Sequence, residues 1–437
     1  MIVSRFHFFL FSIGVALGFT PPALRADEPL PPSVPTESVA DNKLTLESAI
    51  AEAVAQSSAL RVIEADIDSA RGETLTAQTR PSPELFFAPG LKHVREGDSS
   101  HHEFKGTLGL TRQLVFAGKR ELLGSIAERK VELRKLGIEG LRFQLAAAVR
   151  KTFYELLAAQ GVVALRQQQL ESAQTFQQVA TKRAASGYAS DFEAVKSQGD
   201  VINAKKLIVA AEGEIATARV ELNSLLGRDP SAPLEVSGTL TESAPERTLP
   251  DLLAAALADN PSLRVQAMQT EIAGLSVRKA RLARKPEIYF GPSLEYSKSE
   301  QVLSLGATVS LPNKNYGMGE LQTATAEQRK VLAETERLRR EIIGAVTKAA
   351  TQLATARNQL ALYAPTYLEQ LKAVVGQAEK SYAQNATSLL IYLDAKRTYF
   401  DTLADYYEAV ASVATHRAEL ESAVGVSLES KTSKTNP

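Results

Sequence analysis

Apolar and polar positions along this chain follow two regimes, a helical spacing over most of its length and a period of two in short stretches. From about Gly118 to Ala185, and again from Asp191 to Leu226, the chain runs without proline. In the first of these stretches Ile138, Leu141, Leu145, Val149, Phe153 and Leu156 recur three and four residues apart. Leu338, Ile342, Ala345, Ala349, Leu353, Ala356, Leu360 and Tyr363 repeat the stripe later. Such spacing gathers apolar side chains on one helix face and predicts coiled-coil-like packing. Roughly 65 helical residues reach about 100 Å, too long for one globular core, so the helices must pack on one another lengthwise. Pro365 lies inside the second long helix and predicts a bend there. SGYAS (Ser186 to Ser190) and QNATS (Gln384 to Ser388) break the helical pattern. Gly187 and Asn385 accept left-handed backbone, and Ser190 and Ser388 can cap the next helix. Both segments predict tight helical hairpins, at the end far from the strands.

The period-two stretches predict strands. In LSLGATVSL, Leu303, Leu305, Ala307, Val309 and Leu311 share one face, and Ser304, Gly306, Thr308 and Ser310 the other. Ile288, Phe290, Leu294 and Tyr296 alternate with Tyr289, Gly291, Ser293 and Glu295. Phe104, Leu108, Leu110 and Leu114 alternate with Lys105, Thr107, Gly109 and Thr111. Over about ten residues this fits the lipid-out, lumen-in strands of a transmembrane barrel. It fits equally a soluble hairpin with one face on a core.

The chain is written twice. LTLESAIAEAVAQSSALRV from Leu44 aligns without a gap to RTLPDLLAAALADNPSLRV from Arg247, a shift of 203 residues. PELFFAPGL (Pro83 to Leu91) faces PEIYFGPSL (Pro286 to Leu294) at the same shift. AGKREL at Ala117 faces YGMGEL at Tyr316, and ELNSLLG (Glu221 to Gly227) faces ELESAVG (Glu419 to Gly425). So long a period excludes short solenoid repeats and means two copies of one unit. Each copy reads helix, strand, strand, long helix, helix. The expected bounds are residues 44–227, with strands at about 83–116, and residues 249–425, with strands at about 286–311. The opening helices span about Leu46 to Thr79 and about Leu249 to Arg284, stopped by the prolines after them. A linker (228–248) holding Pro230, Pro233 and Pro245 joins the copies, and 426–437 reads as a polar tail. The fold class is therefore mainly α with a small β part.

The ends of the chain add a compartment. Arg5, the mainly apolar run Phe6 to Phe19 and small residues up to Ala26 have the order of a secretory signal peptide, residues 1–26. An uncleaved N-terminal anchor is the alternative. Residues 27–43 form a proline-rich linker. No later stretch has 18 consecutive apolar residues, so the mature chain is expected to be soluble outside the cytoplasm or to span a membrane as a β-barrel. Net charge is zero, which gives no argument for nucleic acid. The absence of cysteine excludes disulfides, thiolate metal sites and a lipid-accepting cysteine.

Four candidate membrane strands cannot close a barrel, for which about eight are the minimum, and lipid does not tolerate open edges. If these strands lie in lipid, the chain must pool them with copies of itself. Three copies supply about twelve, an even number within the known range.

The doubled plan, with LTLESAIAEAV, RPSPEL and the repeated closing glycines, resembles the TolC-type outer membrane factors over nearly all of the mature chain. VFAGKREL (Val115 to Leu122) and SLPNKNYGMGEL (Ser310 to Leu321) are similar to the CzcC-like, cobalt-zinc-cadmium branch. The resemblance implies a homotrimer with a shared twelve-stranded barrel in the outer membrane of a Gram-negative bacterium. It implies an α-helical tunnel across the periplasm, docked on a periplasmic adaptor protein and an inner-membrane pump of the RND type. It implies a passive exit duct, with heavy-metal cations as substrate, and not an enzyme. Drug efflux and type I secretion remain alternatives. In that family a tyrosine and an arginine near the second helical hairpin, and acidic residues beyond, narrow the tunnel tip. Tyr382 matches the tyrosine, but the arginine position falls on Thr387. Of the acidic positions one falls on Ile391 and another on Asp394, while in the first copy one falls on Glu193, with Asp191 nearby. Three symmetry-related carboxylates would form a ring favouring cations. The plain alternative is that Asp394 and Glu193 are solvated helix residues and that Tyr382 packs between helices.

His101, His102, Glu103, Asp98 and Glu96 cluster between the first two strands, where imidazoles and carboxylates could take zinc or copper. A polar extracellular loop is the favoured reading of that segment. His93 and His416 stand apart in sequence and carry no signal. Nothing calls for a cofactor, and no nucleophile elbow, phosphate loop or paired catalytic carboxylate stands out. Two rivals of other classes are a pore-free periplasmic coiled-coil scaffold and an exported helical hydrolase.

Overall fold

The computed structural model describes residues 43–115, 118–187, 190–239, 247–298, 300–311, 313–384 and 386–428. The expected signal peptide and linker residues 27–42 lie outside that set, as do 240–246 of the second linker and 429–437 of the tail. The first copy comprises α1 (Leu46–Gln56), α2 (Ser58–Gln78), β1 (Glu84–Glu96), β2 (Ser99–Leu114), α3 (Lys119–Ala185) and α4 (Asp191–Leu226). The second comprises α5 (Leu249–Asp259), α6 (Pro261–Ala283), β3 (Ile288–Ser297), β4 (Gln301–Val309), α7 (Met318–Ala361), α8 (Pro365–Ala383) and α9 (Leu389–Val424).

Three helices expected to be single are divided. The opening helix of the first copy breaks at Ser57, whose hydroxyl accepts from the Leu60 amide and so starts α2 afresh. In the second copy Asn260 does the same work, accepting from the Ser262 amide at 2.9 Å, and Pro261 supplies a first position that needs no donor. Pro365 does more than bend its helix. Ala364 before it is extended (φ −59°, ψ 139°), α7 stops at Ala361, and α8 restarts at Pro365. With no proline in its path, α3 continues unbroken for 67 residues.

Each copy closes a core of its own from corresponding positions. In the first, Ala49 and Ala53 of α1 meet Val149, Phe153 and Leu156 of α3 and Leu222 and Leu226 of α4. In the second, Leu252 and Ala256 of α5 meet Ile342, Val346, Ala349, Leu353 and Ala356 of α7 and Leu420 and Val424 of α9. The expected stripe misplaced one member: Ala345 is exposed, and Val346 carries the turn instead. The linker contributes more than a connection. Leu234 and Val236 are buried in the first core, and Val236 forms a parallel bridge to Leu44. Leu428, in the expected polar tail, is likewise buried in the second. Its amide donates to Glu421, a nearly inaccessible carboxylate that Arg150 of α3 pairs.

The four strands form one antiparallel sheet in the order β1-β2-β3-β4. The register puts Leu85, Phe87 and Leu91 opposite Leu110, Leu108 and Phe104. It then puts Leu108 and Leu114 opposite Leu294 and Ile288, and these opposite Leu303 and Val309. One face is therefore apolar, as the alternation predicts. Arg112, opposite Phe290, is a departure near the helical end of that face. The other face is polar: Lys105 pairs Glu295 at 2.5 Å, and the Ser293 and Ser304 hydroxyls bond at 2.9 Å. Phe86 intrudes there because Gly109 beneath it leaves the ring room.

Gly425 ends α9 at φ +83°, and a Cβ there would lie 2.7 Å from Pro261 Cδ and 2.9 Å from Asn260 Nδ2. That amide nitrogen donates to the Ala423 and Val424 carbonyls, locking the end of α9 against the break between α5 and α6. Gly227 ends α4 at φ +74° in the first copy, with Gln56 Cβ at a looser 3.3 Å. Gly425→Ala is expected to lower stability in chemical unfolding by more than about 1 kcal/mol, and by more than Gly227→Ala does. Equal losses in the two variants would contradict this packing.

Candidate functional site

Two regions leave the chain incomplete by itself, the sheet and the hairpin tip. No helix packs along the sheet among the described residues. Its apolar face stands open, with Leu91 74%, Leu303 77% and Leu305 80% exposed. Among the described residues β1 and β4 are edge strands, each paired on one side only. A long, apolar, unprotected edge invites pairing with another chain.

The tip is built where α3 turns into α4 and α8 into α9. Gly187 takes φ +75° in the first turn, and Ser190 and Ser388 adopt the same extended cap (φ −81°, ψ 154°). Between the two hairpins Phe176 and Ala180 of α3 pack with Tyr382 of α8 and with Leu389 and Tyr392 of α9. The Tyr382 and Tyr392 rings stack at 5.6 Å with 7° between their planes, and Phe176 touches both. Aromatic spacing of this kind adds about 0.5–1.5 kcal/mol per pair beyond area burial.

Of the four tip residues singled out in the sequence, the fold brings two together. The Tyr382 hydroxyl donates to Glu193 Oε2 at 2.6 Å, linking the second hairpin to the first. Burial, then the hydrogen bond to Glu193, pushes the Tyr382 phenol up to about 12. Asp191 and Asp394 are both exposed, and neither has a hydrogen-bond or ion-pair partner among the described residues. Tyr382 therefore does pack between helices, while its hydroxyl ties Glu193.

Sequence reasoning missed the charges around this pair. Arg183 stands 4.9 Å over the Tyr382 ring and donates to the Tyr382 carbonyl at 3.4 Å. A guanidinium thus reaches the tyrosine from the first hairpin, although Thr387 holds the position where one was sought in the second. Lys396 donates to the Ser172 carbonyl at 3.2 Å and lies 5.1 Å over the Tyr392 ring. Burial lowers its pKa, against the pull of Glu379 and Asp200. Burial raises the Asp200 carboxyl, opposed by Lys196 and Lys396, and Asp200 Oδ2 is enclosed without a hydrogen bond. No single-residue spacing could reveal contacts made across four helices.

Around the turns, Phe192 and Val195 of α4 and Leu390 and Ile391 of α9 are exposed apolar residues. Phe192 and Leu390 occupy matching places in the two copies, whereas Ile391 matches Glu193 and Val195 matches the half-buried Leu393.

The histidine segment is no loop. Gly97 (φ +59°) and Asp98 make a two-residue turn, and His101 and His102 lie in β2, opposite Val94 and His93. The short turn lets pairing run to the strand ends. The side chains of His101 and Glu96 are outside the described set. No group of three or more metal-ligating side chains occurs among the described residues.

The family model described as "Outer membrane efflux protein" matches residues 49–228 and 252–426, one span in each copy. The chain is similar to the cobalt-zinc-cadmium resistance protein CzcC of Cupriavidus metallidurans, 25% identical over 401 residues, covering 90% of this chain and 94% of that one. It is also similar to a probable outer membrane lipoprotein, SilC, of Salmonella typhimurium, at 20% identity over 86% of this chain and 84% of that one. Among solved structures, a crystal structure of CusC superposes with a TM-score of 0.72 over 87% of this chain and 92% of that one, at 17% identity. That last likeness is one of fold.

Because its phenol is held above the ordinary value of 10, Tyr382 stabilises the tip fully below about pH 10, and the stabilisation is lost as pH rises through about 12. The difference in ultraviolet tyrosinate titration between wild type and Tyr382→Phe should show one phenol with a midpoint near 12. A midpoint near 10 would contradict the buried bond to Glu193.

Proposed function

The chain belongs to the outer membrane efflux protein family, and from that premise we propose that it is the outer-membrane exit duct of a tripartite efflux system. Three copies join their sheets edge to edge into one closed wall of about twelve strands in the outer membrane. The paired helices continue as a tunnel through the periplasm. The observation that carries this reading is the sheet itself, with one face apolar, no helix along it among the described residues and both edges unpaired. In lipid an unpaired edge costs several kcal/mol per group, and closure with sister sheets removes that cost.

Transport through such a duct is passive. An inner-membrane pump of the RND type delivers substrate through a periplasmic adaptor, and the duct catalyses nothing. The exposed apolar residues Phe192, Val195, Leu390 and Ile391 support docking at the tip, since exposed apolar clusters of this kind mark contact surfaces. Heavy-metal divalent cations are the substrate class, a reading supported by the likeness to a cobalt-zinc-cadmium resistance protein along nearly the whole of both chains.

At the tip, Tyr382 and Glu193 tie the two hairpins in the narrowed state, with Arg183 over the Tyr382 ring. Asp394, exposed and unpaired among the described residues, presents one carboxylate per copy, and Asp191 a second. Three such groups around an axis attract cations and hold back anions.

Detergent-extracted protein should form conducting pores in planar bilayers, and Asp394→Ala should reduce block by divalent cations or change conductance. Unchanged conductance together with unchanged block would remove Asp394 from the gate. Protein released from membranes by salt alone, with no conductance, would refute the duct.

A further inference from the structure

The β1–β2 hairpin carries a pair of imidazoles that the duct reading does not use. His93 and His102 are direct cross-strand partners, with ring centroids 4.8 Å apart and planes at 45°. Both residues are accessible to solvent, and neither ring has another partner among the described residues. The tight turn at Gly97 and Asp98 fixes the register that brings them together. The sequence points to His102 but sets His93 apart, since the strand pairing that makes them neighbours is not visible in the linear order.

From this juxtaposition we propose that His93 and His102 form a binding site for a first-row divalent cation. Zinc sits about 2.0–2.1 Å from an imidazole nitrogen, and a tetrahedral angle between two such ligands holds the ring centroids about 5 Å apart. The observed 4.8 Å is compatible with that spacing. Imidazole nitrogens suit Zn²⁺, Ni²⁺ and Cu²⁺, with Cu²⁺ bound most tightly, and they select against Mg²⁺ and Ca²⁺. Two protein ligands leave the remaining positions to water.

The location decides what such a site can do. His93 follows Leu91 by two residues and His102 precedes Phe104 by two, so the pair shares the apolar face and lies just beyond its end, toward the turn. It is therefore not on the polar face, and an ion held there lies off any path lined by Lys105, Glu295 and Ser304. The ion bridges β1 to β2 from outside and pins the hairpin, whatever passes through the duct. The site stands on strand pairing within one chain and does not depend on pore formation.

The test uses the full-length chain in detergent, free of any polyhistidine tag, titrated with Cu²⁺ by calorimetry and electron paramagnetic resonance. One Cu²⁺ per chain with two coordinated imidazole nitrogens is expected in the wild type. His93→Gln and His102→Gln should each weaken binding at least about tenfold, roughly the loss that even an outer-shell partner can bring. His101→Gln, at the alternate register position, should change it by less than about threefold. A wild-type spectrum without nitrogen coordination would overturn the site with no variant needed. Full affinity in both the His93 and His102 variants, or loss only in the His101 variant, would overturn it as well. Bilayer conductance read on the same samples separates this outcome from any failure of the duct.

Discussion

The fold depends on a single constraint: backbone amides and carbonyls cannot remain unpaired where there is no water to receive them. Four strands with one apolar face satisfy this constraint along β2 and β3 and leave it unmet at the outer edges of β1 and β4. The residues on that face, among them Leu91, Leu303 and Leu305, have no helix to cover them among the described residues. Neither deficit is met among the described residues, where every helix is engaged with other helices. In the proposed duct, lipid resolves the first and sister sheets the second.

The helical part answers a different demand. A helix of 67 residues cannot bury its stripe in one compact core, so α3 collects partners along its length: α1 and α2, then α4, α6 and α9. Duplication supplies those partners with matching faces. The two cores repeat down to the buried leucine and valine positions, and the closing glycines seat against matching breaks in the opening helices. Charge is used sparingly inside this framework. Glu421 is buried with Arg150 and Arg417 as partners, the pairing a buried carboxylate requires. At the tip the same economy appears as Tyr382 donating to Glu193 beneath Arg183.

Much of this was legible in the sequence, for identifiable reasons. Period-two alternation at Ile288 to Leu311 and helical spacing from Ile138 to Leu156 are local signals, and each reports a face directly. The gapless alignment of the stretches beginning at Leu44 and Arg247 is enough to reveal the duplication. What escaped was either capping chemistry or tertiary contact. Ser57 and Asn260 look like ordinary polar helix residues until their side chains are seen to accept from the following turn. Pro365 signals a bend, but the extended Ala364 that the proline ring favours turns it into a break. Tyr382 and Glu193 were singled out separately, and their bond spans 189 residues of sequence. Arg183, Lys396 and His93 gave no sign at all, because their neighbours come from other elements.

The central claim is that β1 of one copy pairs with β4 of the next. The chain has no native cysteine, so introduced ones report cleanly. Ala88→Cys in β1, combined in turn with Val302→Cys, Ser304→Cys, Gly306→Cys and Thr308→Cys along β4, samples the possible registers. On mild oxidation in native outer membranes, at least one pair should convert the monomer into dimer and closed trimer bands and nothing larger. Failure of every pair to cross-link, or an open ladder extending beyond three, would contradict the closed wall on which the fold and its function both rest.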